Sequence, residues 1–186
     1  MKLTPLAIDG AWIAESPVWS DKRGFFREWF KSEDVKVATG RDFGIEQANI
    51  SLSSAGTLRG IHYSIARRGQ AKWITCVSGS IQDVIVDIRQ DSKTFGQWVD
   101  VELKGDSGEA VFVSEGLGHG FLALENNTLV AYLVSTPFSP TDEFEINPLD
   151  EKIGIDWRID RSKLRISEKD RRAPSLAWRL NEGKLP

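Results

Sequence analysis

The sequence has little of what most catalytic chemistries require. Cys76 is the only cysteine among 186 residues, which excludes an intrachain disulfide and any zinc cluster of cysteine type. It lies in Trp73-Ile74-Thr75-Cys76-Val77, a β-like apolar run, and is expected to be a buried packing residue. No Walker loop or Rossmann fingerprint is present, so neither ATP nor NAD is expected as a cofactor. No Gly-x-Ser-x-Gly elbow appears and Cys76 has no obvious basic neighbour, so covalent hydrolase chemistry finds weak support. Positive charge is not in excess. A net charge of −3 and a pI of about 5.5 argue against a general nucleic-acid binder. They leave room for a small anion held by a few well-placed cations. No segment is apolar enough to span a bilayer, and Met1-Lys2-Leu3-Thr4-Pro5 lacks the apolar stretch of a signal peptide. The expectation is a cytoplasmic protein without a membrane partner.

What is present is an ordinary soluble composition, 40% hydrophobic and 27% charged. Residues 1–186 read as one domain, with no linker, repeat or low-complexity tract. Runs rich in Val, Ile, Phe, Trp and Thr predict strands over Gly24–Phe30, Glu46–Ser53, Thr57–Tyr63, Lys72–Val77 and Ile81–Arg89. Further strands are predicted over Gln97–Leu103, Ala110–Val113, Gly120–Ala123 and Thr128–Ser135. Turn residues separate them, as in Ser78-Gly79-Ser80 and Glu125-Asn126-Asn127. The fold class is therefore all-β, an antiparallel sandwich or small barrel. A short helix is expected over Ser32–Thr39, capped by Ser32. A second helical segment follows Ser167, where Ser167-Glu168-Lys169-Asp170 resembles a capping box and Pro174 soon interrupts it.

Both histidines of the chain, His62 and His119, stand beside glycines and apolar residues, in Arg59-Gly60-Ile61-His62-Tyr63 and Gly116-Leu117-Gly118-His119-Gly120-Phe121. A lone histidine is more often a satisfied core residue. Two of two in glycine-flanked strands point toward a site, because glycine allows a backbone to approach a ligand closely and neutral imidazole is a good base near pH 7. Gln47, Asn49 and Ser51 are spaced by two and share one strand face. Arg59 and Lys72 suit phosphate oxygens or a developing enolate; a merely solvated polar face fits that spacing equally well.

Several segments carry more than composition. They are Arg23-Gly24-Phe25-Phe26-Arg27-Glu28, Gln47-Ala48-Asn49-Ile50-Ser51, Gly56-Thr57-Leu58-Arg59-Gly60-Ile61-His62-Tyr63 and Gln70-Ala71-Lys72. Asp83-Val84-Ile85-Val86-Asp87-Ile88-Arg89, Ser92-Lys93-Thr94-Phe95-Gly96 and Ser114-Glu115-Gly116-Leu117-Gly118-His119-Gly120-Phe121 follow in order. With them the sequence, from about Trp12 to Pro174, resembles the dTDP-4-dehydrorhamnose 3,5-epimerase family of cupin-fold enzymes. The resemblance implies a cupin-type jelly-roll β-barrel or sandwich with short terminal helices, no cofactor, no metal and a dTDP-4-keto-6-deoxyhexose substrate. It implies His62 as the base that removes a proton beside the 4-keto group, Asp170 as the carboxylate that orients and charge-balances it, and Tyr132 as the acid on the opposite face. Lys72 would stabilise the enolate oxygen. His119 matches a substrate contact, and Arg23, Phe26, Glu28, Gln47, Asn49, Arg59, Glu143 and Lys169 match binding positions. Arg23 and its neighbours can reach a partner subunit's site in this family, which implies a homodimer.

The sequence departs from the family pattern in places. Phe138 stands where a tyrosine usually stacks on the thymine; a phenyl ring can still stack. Ser64 replaces the usual Gln, the usual Pro is absent from Ile65-Ala66-Arg67-Arg68-Gly69, Leu133 follows Tyr132, and Pro137 precedes Phe138. These sites bear on substrate and regiochemistry. A single 3-epimerase shares the same site residues. A non-catalytic sugar-binding cupin would not require His62, Tyr132 and Asp170 together. A metal-dependent oxygenase is disfavoured because Tyr63 and Ser64 follow His62, so the His-x-His pair of metal-binding cupins is missing.

Overall fold

The computed structural model describes residues 1–186. In chain order the first strands are β1 (Lys2–Pro5), β2 (Ala11–Glu15), β3 (Val18–Asp21), β4 (Gly24–Arg27), β5 (Gln47–Ser53), β6 (Thr57–Ser64) and β7 (Lys72–Ser78). They continue as β8 (Ser80–Asp87), β9 (Trp98–Lys104), β10 (Glu109–Val113), β11 (Leu117–Ala123), β12 (Thr128–Val134), β13 (Glu143–Glu145) and β14 (Arg165–Ile166). Helices α1 (Ser32–Thr39), α2 (Glu168–Arg171) and α3 (Leu176–Asn181) complete the chain. None is long and apolar enough to cross a membrane.

Two main sheets face each other. One runs β1-β2-β10-β7-β12-β5 and the other β13-β6-β11-β8-β9, with β14 added in parallel to β6; β3 and β4 form a separate hairpin. The inner faces meet in a core of Ile74, Cys76, Val111, Val113 and Val130 from the first sheet with Ile81, Ile85, Leu103, Leu117 and Phe121 from the second. This is the expected jelly-roll arrangement, strands alternating side chains between two layers.

Both outer faces are covered as well. Phe43 and Val35 (on α1) lie over Trp73, Phe112 and Leu133 of the first sheet. Ile146, Ile153, Ile155, Trp157 and Leu176 lie over Leu58, Tyr63, Val84 and Val86 of the second. Cover on both faces explains why every residue of β8 is buried, including Gln82 and Asp83. Each face mixes polar with apolar, Ile81, Asp83 and Ile85 on the inner one and Gln82, Val84 and Val86 on the outer, and neither faces water. Cys76 is buried, as its setting predicts, and burial pushes its thiol up to about 11.

The helix ends differ in detail from expectation. Ser32 does not cap α1: the cap position is Lys31, without a side-chain bond, and Ser32 is already helical. At α2, Ser167 does cap, accepting from the Asp170 N–H at 3.0 Å. The returning half of the capping box is given up, because the Asp170 carboxylate turns to His62 instead.

Candidate functional site

A cleft opens between the two sheets at one end of the sandwich. Its outer part, a cavity of about 230 Å³, is lined by Gln47, Asn49, His62, Gln70, Lys72, Tyr132, Phe138, Glu143 and Lys169. A deeper part of about 170 Å³ shares His62, Lys72 and Tyr132 and adds Ser51, Arg59 and His119. Strand alternation explains the lining. Lys72 of β7 points inward two residues from Ile74 of the core, and Tyr132 of β12 two residues from Val130. Gln47, Asn49 and Ser51 of β5 share the inner face, as their spacing predicts.

His62 and Tyr132 belong to opposite sheets, so they approach the cleft from its two sides. The His62 Nε2–H donates to Asp170 Oδ1 at 2.7 Å, from a half-exposed ring to a buried carboxylate. Burial alone would raise the Asp170 carboxyl, but the His62 hydrogen bond and charge, with Ser167, outweigh it and hold the group below its ordinary value. With Nε2 tied to Asp170, Nδ1 is the ring atom left to take a proton.

Lys72 is buried and its Nζ donates to the His62 carbonyl at 3.2 Å. Burial lowers its pKa, against the opposing charges of Glu143 and Asp83. A lowered ammonium pKa makes Lys72 a readier donor to a forming oxyanion. Tyr132 is raised by burial, with Arg59 opposing, so it is a neutral proton donor near pH 7. Burial also raises Glu143, countered by Lys72 and by Gln70, whose Nε2 donates to Glu143 Oε1 at 2.8 Å. At the mouth, the Phe138 N–H donates to Gln47 Oε1 at 2.9 Å, and its ring is exposed. Lys169 pairs with Glu145 at 2.9 Å on the rim.

Arg23, Phe26 and Glu28 do not join this cleft within one chain. Arg23 and Phe26 sit on the exposed β3–β4 hairpin, Arg23 bound to Asp21 and Phe26 stacked on Trp19. Glu28 follows the hairpin and is exposed. Gln70 was not among the residues expected from the sequence; its spacing of two from Lys72 is the signal that places it on the same side. The glycines beside the histidines serve strand packing. A Cβ on Gly60, where φ is +124°, would lie 2.5 Å from Gly120 Cα, and one on Gly118 or Gly120 would strike Ile61. They let β6 and β11 come together, with His62 and His119 directly opposite. No group of three or more His, Cys, Asp or Glu side chains is gathered closely enough to hold a metal ion.

Comparison with known proteins decides the family. The family model described as dTDP-4-dehydrorhamnose 3,5-epimerase matches residues 5–177. The chain belongs to the dTDP-4-dehydrorhamnose 3,5-epimerase family. It is 43% identical to a dTDP-4-dehydro-6-deoxyglucose 3-epimerase of Streptomyces bikiniensis, over 98% of this chain and 92% of the relative. It is 41% identical to a dTDP-4-dehydrorhamnose 3,5-epimerase of Mycobacterium tuberculosis, over 100% of this chain and 93% of that one. The solved structure of the rmlC epimerase of Mycobacterium tuberculosis superposes with a TM-score of 0.96 at 41% identity, covering 100% of this chain and 94% of the other. The epimerase family is thus one of isomerases on a cupin-like jelly roll, which is the fold seen here.

Proposed function

We propose that the protein inverts C3 and C5 of dTDP-4-dehydro-6-deoxy-D-glucose, giving dTDP-4-dehydro-L-rhamnose. The observation that carries the reading is His62, backed by Asp170, facing Tyr132 across a cleft that Lys72 also lines. A ketone at C4 acidifies the protons on C3 and C5. His62 Nδ1 takes one of them, the C–H electron pair moves into the C=C bond of an enolate, and the negative charge collects on the C4 oxygen, where Lys72 donates. Tyr132 then gives its hydroxyl proton to the same carbon from the other face; the phenolate regains a proton from solvent and His62 releases the one it took, which resets the pair. Only protons move, so no redox partner enters the balance. Asp170 keeps His62 in the productive tautomer throughout.

Gln47, Asn49, Arg59, Glu143 and Lys169, with Phe138 as a stacking platform, are the proposed nucleotide and sugar contacts. Arg23, Phe26 and Glu28 lie away from their own chain's cleft, which supports a homodimer in which they complete the partner's site. Light scattering on the purified protein tests that state.

A single inversion at C3 is the second reading, favoured by the 43% identity to a 3-epimerase and by the departures at Phe138 and Ser64. Incubation with dTDP-4-dehydro-6-deoxy-D-glucose in heavy water separates the two by NMR. Deuterium at C3 and C5 supports the double epimerase; deuterium and inversion at C3 alone moves the assignment to the 3-epimerase. No label at either carbon overturns both. His62→Ala should abolish exchange, and Tyr132→Phe should permit exchange while blocking completed inversion at one carbon at least.

A further inference from the structure

His62 has a counterpart. His119, directly across the β6–β11 ladder, donates its Nε2–H to Asp83 Oδ2 at 2.8 Å. Asp83 comes from the inner face of β8 and is fully buried, and His119 is buried to 9% exposure. The surroundings of Asp83 are apolar, since Ile81 and Ile85 flank it on the same strand face and Phe121 stands opposite in register. Its second oxygen, Oδ1, is buried without a hydrogen-bond partner.

A carboxylate placed in an apolar core with half of its acceptors idle is costly to folding. An apolar residue there would pack with Ile81, Ile85 and Phe121 at no such cost. The stability of the sandwich therefore does not account for Asp83. Its geometry does: it occupies one ring nitrogen of a histidine that lines the deep cavity with His62, Lys72 and Tyr132. Asp83 also lies near enough to Lys72 to oppose the effect of burial on that ammonium.

Resting on the epimerase reading above, we propose that Asp83 is a positioning residue that fixes the tautomer of His119. With Nε2–H bound to Asp83, the ring is held in the tautomer that leaves Nδ1 unprotonated for the substrate. That atom accepts a hydrogen bond from a hydroxyl of the sugar ring and holds the ring in register with His62 and Tyr132. The deep cavity is thus built on two histidine–carboxylate pairs, one for proton removal and one for orientation.

The test uses the full-length protein labelled with 15N-histidine. Two histidines give few signals, and His119→Gln assigns them. His119 in the wild type should show protonated Nε2 and unprotonated Nδ1; the opposite tautomer overturns the proposal without need of any variant. Asp83→Asn, nearly isosteric, should shift the His119 ring signals and lower kcat about 10- to 100-fold, the scale of one hydrogen bond to a charged group. In a His119→Gln background the same substitution should cost nothing further, because Asp83 acts through His119. Equal loss in both backgrounds, or unchanged His119 signals in Asp83→Asn, also overturns it. If the wild type fails to exchange deuterium, the epimerase reading falls, while the ring signals still judge the Asp83–His119 pair.

Discussion

Asp170→Asn is the most informative single change, because it keeps the shape of the site and removes only a charge. Asp170 is 4% exposed, anchored by its own N–H to the Ser167 cap, and accepts from His62 at 2.7 Å. An amide can fill the same space. It offers either an oxygen that accepts more weakly or an NH₂ that forces His62 Nε2 to become the acceptor. In the second case the proton moves to Nδ1, the atom proposed to take one from the substrate. A hydrogen bond to a charged group contributes about 1.5–3 kcal/mol and a neutral one about 0.5–1.5, so the expected loss of stability is about 1–2 kcal/mol. For a chain of this size that is a fall in Tm of about 2–8 °C. The loss in kcat is larger, about 10²- to 10⁴-fold, since the base is held in the wrong tautomer. KM should change little, because Asp170 stands behind His62. Product formation at saturating substrate, followed by NMR, measures kcat, and a thermal melt across pH measures the rest. Asp170 titrates lower in the folded chain than its unfolded value of about 3.9. Its contribution is therefore complete above that value and is lost as pH falls through the folded one. The gap in Tm between wild type and Asp170→Asn should be widest above about pH 5 and should close only as pH falls through the lowered folded-state value. An Asn variant with kcat within about threefold of wild type would refute the assigned role of the pair.

Other substitutions probe the frame and the mouth of the cleft. Gly60→Ala should leave little folded protein by circular dichroism, because a Cβ there meets the Gly120 backbone at 2.5 Å in a conformation of positive φ. Asp87, held at about 2 by Arg89, Ser92 and Thr94 against the opposing effect of burial, anchors the turn after β8. Asp87→Asn should lower stability to urea by about 1–3 kcal/mol near neutral pH, and the difference should vanish as pH falls toward about 2. Phe138→Ala removes the exposed ring at the cleft mouth and should raise KM about 3- to 10-fold with kcat unchanged, by steady-state kinetics.

The parts of the fold that the sequence makes legible are those whose pattern is intrinsic. The strands containing Lys72, Val84 and Tyr132 carry long β-branched and aromatic runs, and all of them form. Strands β1, β2, β3, β13 and β14 are short, carry weak patterns and exist because a neighbour pairs with them. Glu143 needs that pairing to reach the cleft, since β13 opposes Ser64 to His62 on β6. Spacing by two exposes the shared face of Gln47, Asn49 and Ser51, whereas the meeting of His62 with Asp170 spans 108 residues and is visible only through resemblance to a family. Asp83 stands in a strand motif that reads as core. Nothing in its local sequence indicates that its carboxylate is turned toward His119.

His62 and Tyr132 are carried by different sheets, and no single strand fixes the gap between them. That gap is a thickness, set by how Ile74, Val111 and Val130 interleave with Ile81, Ile85 and Phe121. A methylene added to or removed from this interleaving acts as a shim: it tilts one reactive wall against the other while leaving every reactive side chain in place. Which ring carbon is served, and whether one or two are served, can then drift across a lineage through aliphatic exchanges far from the sugar. Two enzymes with the same reactive residues need not share a product, and an inventory of the cleft alone will not tell them apart.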